Sequence, residues 1–100
     1  MHIGDVFGSS NNTYVLKVKG DSMIEDHIMD GDLIVVEGCD SARDGEIVVA
    51  LLPDGQATLK RYYRENGKIR LQPSNVTMQP IYSDTVKVQG IYRGLVRKLK

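Results

Sequence analysis

A serine beside a glycine is the first feature of the sequence that could do chemistry. Ser22 follows Gly20 and Asp21, directly after a run of alternating residues, 14–19, that is typical of a β-strand. A serine at a strand end next to a glycine can be exposed at the edge of a sheet, near backbone N–H groups. Its hydroxyl is a weak nucleophile until a base removes the proton, so the chemistry needs a second residue elsewhere in the chain.

Lys60 is the candidate base. It lies in a second predicted strand, 57–64, where alternation places Thr58, Lys60 and Tyr62 on one face. Burial among apolar side chains lowers the pKa of a lysine, and a neutral amine can accept the serine proton. Thr58 could hold that amine with a hydrogen bond. By residue type alone, a serine in a glycine-containing loop is usually structural and a strand lysine usually faces water.

The elements that must position these residues are mostly β-strands. Val and Ile together outnumber Leu, and branched side chains suit a pleated sheet better than a helix. The predicted strands are 14–19, 32–37, 46–52, 57–64, 68–72, 86–92 and 95–98. Pro53-Asp54-Gly55 and the hairpin signal Asn66-Gly67 predict that the three strands between 46 and 72 form a meander. The one helical stretch, 22–29, is predicted to be a short turn after Ser22.

Composition predicts one domain, with residues 1–12 as a flexible lead-in and 13–100 as the folded part. The 13 basic and 13 acidic residues cancel, which argues against direct nucleic-acid binding by this chain. No charged leader and no long apolar run is present, so we expect neither a signal peptide nor a membrane span. The single cysteine, Cys39, cannot form an intrachain disulfide and favours the cytoplasm.

Three motifs in register resemble a known family. They are the strings Val18-Lys19-Gly20-Asp21-Ser22-Met23, Ile28-Met29-Asp30-Gly31-Asp32-Leu33 and Thr58-Leu59-Lys60-Arg61. Together they resemble the signature of the LexA and UmuD group of Ser-Lys autopeptidases, peptidase family S24. The likeness extends to the C-terminus through Leu71-Gln72-Pro73-Ser74-Asn75 and Val88-Gln89-Gly90-Ile91-Tyr92.

The resemblance implies both a fold and a reaction. The fold would be the small β fold of the LexA C-terminal domain, with about seven strands and a short helical turn after the nucleophile. Ser22 would attack a peptide carbonyl, and Lys60 would act as general base and then as general acid, without a metal or cofactor. Gly20, Met23 and Thr58 would support this pair. The family further implies a homodimer, a repressor of the SOS response to DNA damage, and cleavage stimulated by the RecA filament.

The sequence departs from the family pattern in front of the serine. The family's scissile bond is an Ala-Gly or Cys-Gly pair upstream of the nucleophile, and neither pair occurs in this sequence. There is also no room for a winged helix-turn-helix. We therefore expect a chain without its DNA-binding domain and scissile loop, capable of cleavage in trans but not of self-cleavage.

Two other functions fit the same motifs. The chain could be a UmuD-like polymerase accessory peptidase, or a dimerisation module that does not cleave. The surface for pairing would come from Val86, Val88, Ile91, Tyr92, Leu95 and Val96, unless these residues are ordinary core. A signal peptidase shares the Gly-x-Ser-Met string but is anchored in a membrane, which this sequence does not predict.

Other residues have structural interpretations that outweigh the chemical ones. His27 lies near Ser22, but no motif supplies a carboxylate to orient it as a base. Asp30-Gly31-Asp32 lacks the further carboxylates of a calcium loop and is predicted to be a turn. Met23 and Met29 are predicted to fill gaps in the core, and Cys39 to be an inert residue in the core or in a turn.

Overall fold

The structure, a computed structural model, describes residues 12–98 as one antiparallel sheet of seven strands. The strands are β1 (Thr13–Lys17), β2 (Leu33–Gly38), β3 (Ile47–Leu51), β4 (Ala57–Glu65), β5 (Lys68–Gln72), β6 (Ile81–Ser83) and β7 (Lys87–Val96). The helix in this range is a single 3₁₀ turn, Ile24–Asp26. None of the described residues forms a helix long and apolar enough to cross a membrane. The predicted lead-in, 1–12, lies outside the described residues except for residue 12.

The sheet order is β1-β2-β7-β3-β4-β5-β6. The predicted meander is confirmed, because β3, β4 and β5 pair in sequence and β6 continues the series. Asn66 and Gly67 both have positive φ, 53° and 76°, as the predicted two-residue hairpin turn requires. The last strand then returns to the centre and pairs with β2 on one side and β3 on the other. This insertion joins the first hairpin to the meander in one sheet.

The mostly β fold is confirmed, but the seven strands are not the predicted seven. The two predicted strands 86–92 and 95–98 are one continuous strand, β7, with a bulge at Arg93 opposite Val35 and Val36. Arg93 and Gly94 interrupt the apolar pattern without ending the strand, because a bulge accommodates an extra residue. The seventh strand is instead β6, which was not predicted because it has only three residues and follows Pro80.

The predicted helical turn 22–29 is shorter in the structure, at three residues. It stops at His27, whose φ of 63° is left-handed, and no side chain caps its N-terminus at Met23. The residues on either side, Met23 and Ile28, are buried at 2% and 1% exposure. The turn is therefore held by these two apolar anchors rather than by helical propensity.

The apolar core lies on both faces of the sheet. One cluster centres on Val48, Ala50 and Leu71, and the other on Val49, Val36 and Met23. Consecutive residues of β3 enter different clusters because side chains alternate across a strand. The second cluster lies beneath the turn that carries Ser22, so the packing of the core sets the position of this turn.

Candidate active site

A groove of about 500 Å³ lies where the chain leaves β1 and passes the start of β4. One wall is the segment 16–23, which contains Ser22, and the opposite wall is 57–60, which contains Lys60. Ile34 and Val49 form its apolar floor, and Met78 lies at its rim. The fold thus brings together two segments that are almost 40 residues apart in the sequence.

Ser22 is held in place by a tight turn around Gly20. Gly20 has φ of 87°, a conformation that favours glycine, and its N–H donates to Asp30 Oδ1 at 2.7 Å. The neighbouring backbone pairs with the turn at 30–32, since Val18 N donates to the Asp32 carbonyl at 2.8 Å and Gly31 N to the Val18 carbonyl at 2.9 Å. The second motif therefore supports the first, and Ser22 remains half-buried at the groove wall.

Lys60 reaches Ser22 from the opposite wall. Its Nζ lies 3.2 Å from Ser22 Oγ and is also hydrogen-bonded to Thr58 Oγ1, two residues away on the same face of β4. The residue is only 8% exposed. No carboxylate among residues 12–98 forms an ion pair with it. Burial lowers the pKa of Lys60 below its ordinary value of 10.5, because the ammonium loses hydration without gaining a negative partner.

This arrangement favours proton transfer. A lysine with a lowered pKa is neutral in a larger fraction of molecules, and the lone pair of its amine can then accept the Ser22 proton across the same contact. The bond to Thr58 limits the amine to one position on β4. The three predicted residues Ser22, Lys60 and Thr58 are therefore brought together, while Gly20 and Met23 shape the turn beside them.

Sequence reasoning missed the loop 73–78, which contacts the turn that carries Ser22 from outside. Glu25 N donates to the Ser74 carbonyl at 2.8 Å, and the Ser74 hydroxyl bonds to Asp26, which also pairs with Arg61 at 2.7 Å. Asn75 donates to the backbone carbonyl of Asp21. The string Pro73-Ser74-Asn75 belongs to the resemblance, but no periodicity or spacing indicates that it contacts residues about 50 positions earlier.

The other residues considered for catalysis or metal binding, His27, Asp30 and Asp32, do not line the groove. His27 is exposed, and it is not part of the groove lining. Asp30 and Asp32 both have protein partners, Asp30 with Gly20 and Asp32 with Arg97 and the Met29 amide. No group of three or more potential metal ligands occurs in the described part of the chain.

Two packing predictions had different outcomes. Met23 is buried in the core as predicted, whereas the prediction for Met29 is wrong, since 39% of it is exposed. Met29 N, rather than its side chain, makes the structural contact, with Asp32 Oδ2 at 2.7 Å. Cys39 packs against the first core cluster, and its thiol donates to the Ser41 carbonyl at 3.2 Å.

The residues suggested for a pairing surface belong mainly to the core. Val86 and Val88 are 8% and 9% exposed within the first cluster. The side chains of Ile91, Tyr92 and Leu95 pack on the two clusters, and Val96 is 37% exposed. Of these six residues, only Val96, at the end of β7, is exposed.

The geometry agrees with what the chain resembles among known proteins. The family model described as Peptidase S24-like matches residues 2–93. The chain therefore belongs to the Peptidase S24-like family. Its relatives include the LexA repressor of Koribacter versatilis, 52% identical over 98 residues that cover 96% of this chain and 46% of the relative.

Two further relatives agree. The LexA repressor of Oceanobacillus iheyensis is 45% identical over 92 residues, 92% of this chain and 44% of the relative. That of Clostridium botulinum is 49% identical over 94 residues, 94% of this chain and 46% of the relative. The sequence corresponds to the S24 peptidase domain of LexA-like repressors, and it spans about half the length of these relatives.

Proposed function

We propose that this domain hydrolyses a peptide bond with Ser22 as nucleophile and Lys60 as base. The observation that carries the proposal is the 3.2 Å contact between Lys60 Nζ and Ser22 Oγ, in a site where the lysine is buried and no carboxylate of residues 12–98 pairs with it. A lysine kept charged for stability would be expected to have such a partner, because an unpaired buried charge is costly.

Each half of the reaction needs two proton transfers by the same amine. Neutral Lys60 takes the Ser22 proton as Oγ attacks the peptide carbonyl carbon, and the resulting ammonium then gives a proton to the leaving amine as the C–N bond breaks. Water attacks the acyl-serine in the second half, with Lys60 again as base, and the carboxylic acid leaves as Ser22 recovers its proton. Thr58 keeps the amine directed at Ser22 in both halves.

An extended peptide suits the groove as substrate. β5 pairs with β4 only at residues 61–65, so residues 57–60 of β4 have no strand partner on that side among the described strands. This exposed edge lies at the groove wall next to Lys60 and offers backbone hydrogen bonds to an added strand. The apolar floor would accept small or aliphatic side chains of the same peptide.

At the level of the whole protein, we propose a LexA-like repressor of the SOS response that is located in the cytoplasm and cleaved with stimulation by the RecA filament. The basis is the identity of about half to proteins named LexA repressor over nearly this whole chain. The alternative is a UmuD-like accessory peptidase, which would share the site. We propose no contact of this domain with nucleic acid or membrane.

Cleavage in trans tests the peptidase. The chain is incubated with a peptide that carries an Ala-Gly bond in an extended apolar segment, from neutral to alkaline pH. We expect cutting at that bond, lost in Ser22→Ala and in Lys60→Ala. The matched controls Ser41→Ala and Lys87→Ala replace an exposed serine and an exposed strand lysine, and both should cleave normally. A folded wild-type chain that does not cut would contradict the proposal.

We also propose that two copies pair through the end of β7. Residues 92–96 pair with β2 on one side, but β3 pairs only as far as Ile91, so the other side of this segment has no strand partner in the described sheet. Antiparallel pairing with a second copy would satisfy these backbone groups. Sedimentation at micromolar concentration should give a dimer. Val96→Asp should dissociate it without unfolding, whereas Val88→Asp should unfold the core.

A further inference from the structure

Asn75 makes three side-chain hydrogen bonds beside the turn that carries Ser22, although it lies in a loop. It is 8% exposed. Its Oδ1 accepts from Thr77 N at 2.9 Å and from Thr77 Oγ1 at 2.7 Å, and its Nδ2 donates to the Asp21 carbonyl at 2.8 Å. The two Thr77 contacts determine the amide orientation, because reversing it would place the NH₂ group against the Thr77 N–H and an oxygen against the Asp21 carbonyl.

The carbonyl that Asn75 holds belongs to the peptide unit that ends at Ser22. No cis peptide occurs in the described residues, so the Ser22 N–H points opposite to the Asp21 carbonyl. Holding that oxygen therefore sets the direction of the Ser22 N–H. This N–H has no hydrogen-bond acceptor among residues 12–98, and neither have the Asp21 and Met23 N–H groups beside it. Ile24 N also donates to the Asp21 carbonyl, at the longer distance of 3.4 Å.

The support for Asn75 is independent of the serine. The loop 73–78 is joined to the 3₁₀ turn through Ser74 and also through Val76 N, which donates to Glu25 Oε2 at 2.8 Å. These bonds hold the loop against the turn even without the Asn75 side chain. Removal of the Asn75 amide should therefore leave the Asp21 carbonyl with only the 3.4 Å bond from Ile24 N, which loosens this one peptide unit, and leave the loop in place.

We propose that Asn75 is a positioning residue that holds the 21–22 peptide so that the Ser22 N–H can stabilise the oxyanion. The inference rests on the proposed peptidase function. Negative charge develops on the substrate carbonyl oxygen when Ser22 attacks, and a backbone N–H of the nucleophile itself is well placed to donate to it when its orientation is preset. Asn75 acts through this peptide and does not touch the substrate.

Kinetics in the trans assay separate this role from general support. In Asn75→Ala we expect kcat to fall by about 10- to 100-fold, with KM and the pH midpoint unchanged, because oxyanion stabilisation acts on the transition state and not on Lys60. Asn75→Asp keeps the shape and the Thr77 contacts but cannot donate when ionised, so it should lose as much. Ser74→Ala breaks a bond in the same loop and should remain within about twofold of the wild type.

An NMR measurement tests the geometry without catalysis. Loss of the hydrogen bond in Asn75→Ala should move the Asp21 carbonyl ¹³C resonance upfield and shift the Ser22 amide nitrogen, while Ser74→Ala leaves both in place. Unchanged resonances, or an equal fall of kcat in Ser74→Ala, would overturn the proposal. If Asn75→Ala does not fold, Thr77→Val provides a second test. It removes the hydroxyl that helps to orient the Asn75 amide, and it should also lower kcat.

Different results would contradict the peptidase function and the positioning role of Asn75. A wild-type chain that does not cleave contradicts the peptidase, while the NMR measurement still decides whether Asn75 sets the peptide. Cleavage that depends on Ser22 and Lys60 but not on Asn75 retains the peptidase and rejects the positioning role.

Discussion

Two buried ionisable residues, Lys60 and Asp32, have opposite surroundings. Asp32 is 2% exposed, and both of its oxygens bond to the Arg97 guanidinium at 2.7 Å, with the Met29 amide as a third donor. Lys60 is 8% exposed, and its neighbours are the hydroxyls of Ser22 and Thr58. The Asp32 carboxylate is paired with a cation, whereas the partners of Lys60 within residues 12–98 are neutral.

The comparison shows that the charge of the partner, and not burial alone, decides whether a buried ionisable group stays charged. Hydrogen bonds from Arg97 hold the pKa of Asp32 below its ordinary 3.8, against the opposing effect of burial. For Lys60 the cause of the pKa shift is burial, which lowers the pKa, and no ion pair within the described residues offsets this effect. Asp32 therefore remains charged and joins the end of the chain to the turn at 30–32, whereas Lys60 is prepared to lose its proton beside Ser22.

The largest expected effect comes from removing the amine. Lys60→Met keeps the length and apolar stem of the side chain but no base, so the trans cleavage rate should fall by about 10²- to 10⁴-fold. Initial rates at saturating peptide measure the loss. Thr58→Val should lower the rate less, because it removes the partner of the amine and not the amine itself. A Lys60→Met variant that still cleaves normally would contradict the role of Lys60 as the base.

The pH dependence of cleavage should follow the same amine. Below the lowered pKa of Lys60, the neutral fraction and therefore the rate rise about tenfold per pH unit, and the rate levels off once the amine is neutral. Rates measured from pH 6 to about pH 10 test this expectation. A rate that does not change with pH would contradict Lys60 as the base.

Removing the charge of Asp32 should destabilise the fold. Asp32→Asn loses the charge-assisted bonds from Arg97, and we expect the free energy of unfolding at pH 7 to fall by about 1–2 kcal/mol, since the guanidinium is partly exposed. In the wild type the contribution is present above the unfolded pKa and is lost as pH falls through the lowered folded pKa. Urea titrations at pH 7 and pH 3 should show the two proteins converging in acid.

The smallest effect is a stabilisation by Lys60→Met. Between the lowered folded pKa of Lys60 and its unfolded value of 10.5, the unfolded chain binds more protons, so wild-type stability rises with pH in that window. The variant removes this penalty and should be more stable by about 1 kcal/mol at neutral pH, with the gain vanishing above the unfolded pKa. Thermal melts of both proteins across this range measure it, and a less stable variant at pH 7 would show that the amine is structural.

Local patterns predicted much of the fold and part of the site. Alternation located five of the seven strands within a few residues, and Asn66-Gly67 predicted its hairpin because a tight turn depends on two adjacent residues. Thr58 and Lys60 were predicted to share a face because this follows from the period of a strand. The short strand β6 was missed, and β7 was divided, because pairing with neighbours and not local sequence maintains both.

By itself, the sequence predicted which residues could carry the chemistry, because residue type and motif order are properties of the chain. Ser22 and Lys60 were predicted in this way. Only the tertiary structure decided that the two lie 3.2 Å apart, that Lys60 pairs with no charged side chain of the described range and that Asn75 donates to the carbonyl before Ser22. Such contacts join residues 38 to 54 positions apart, and burial and hydrogen bonding across that distance depend on how the sheet folds around its core.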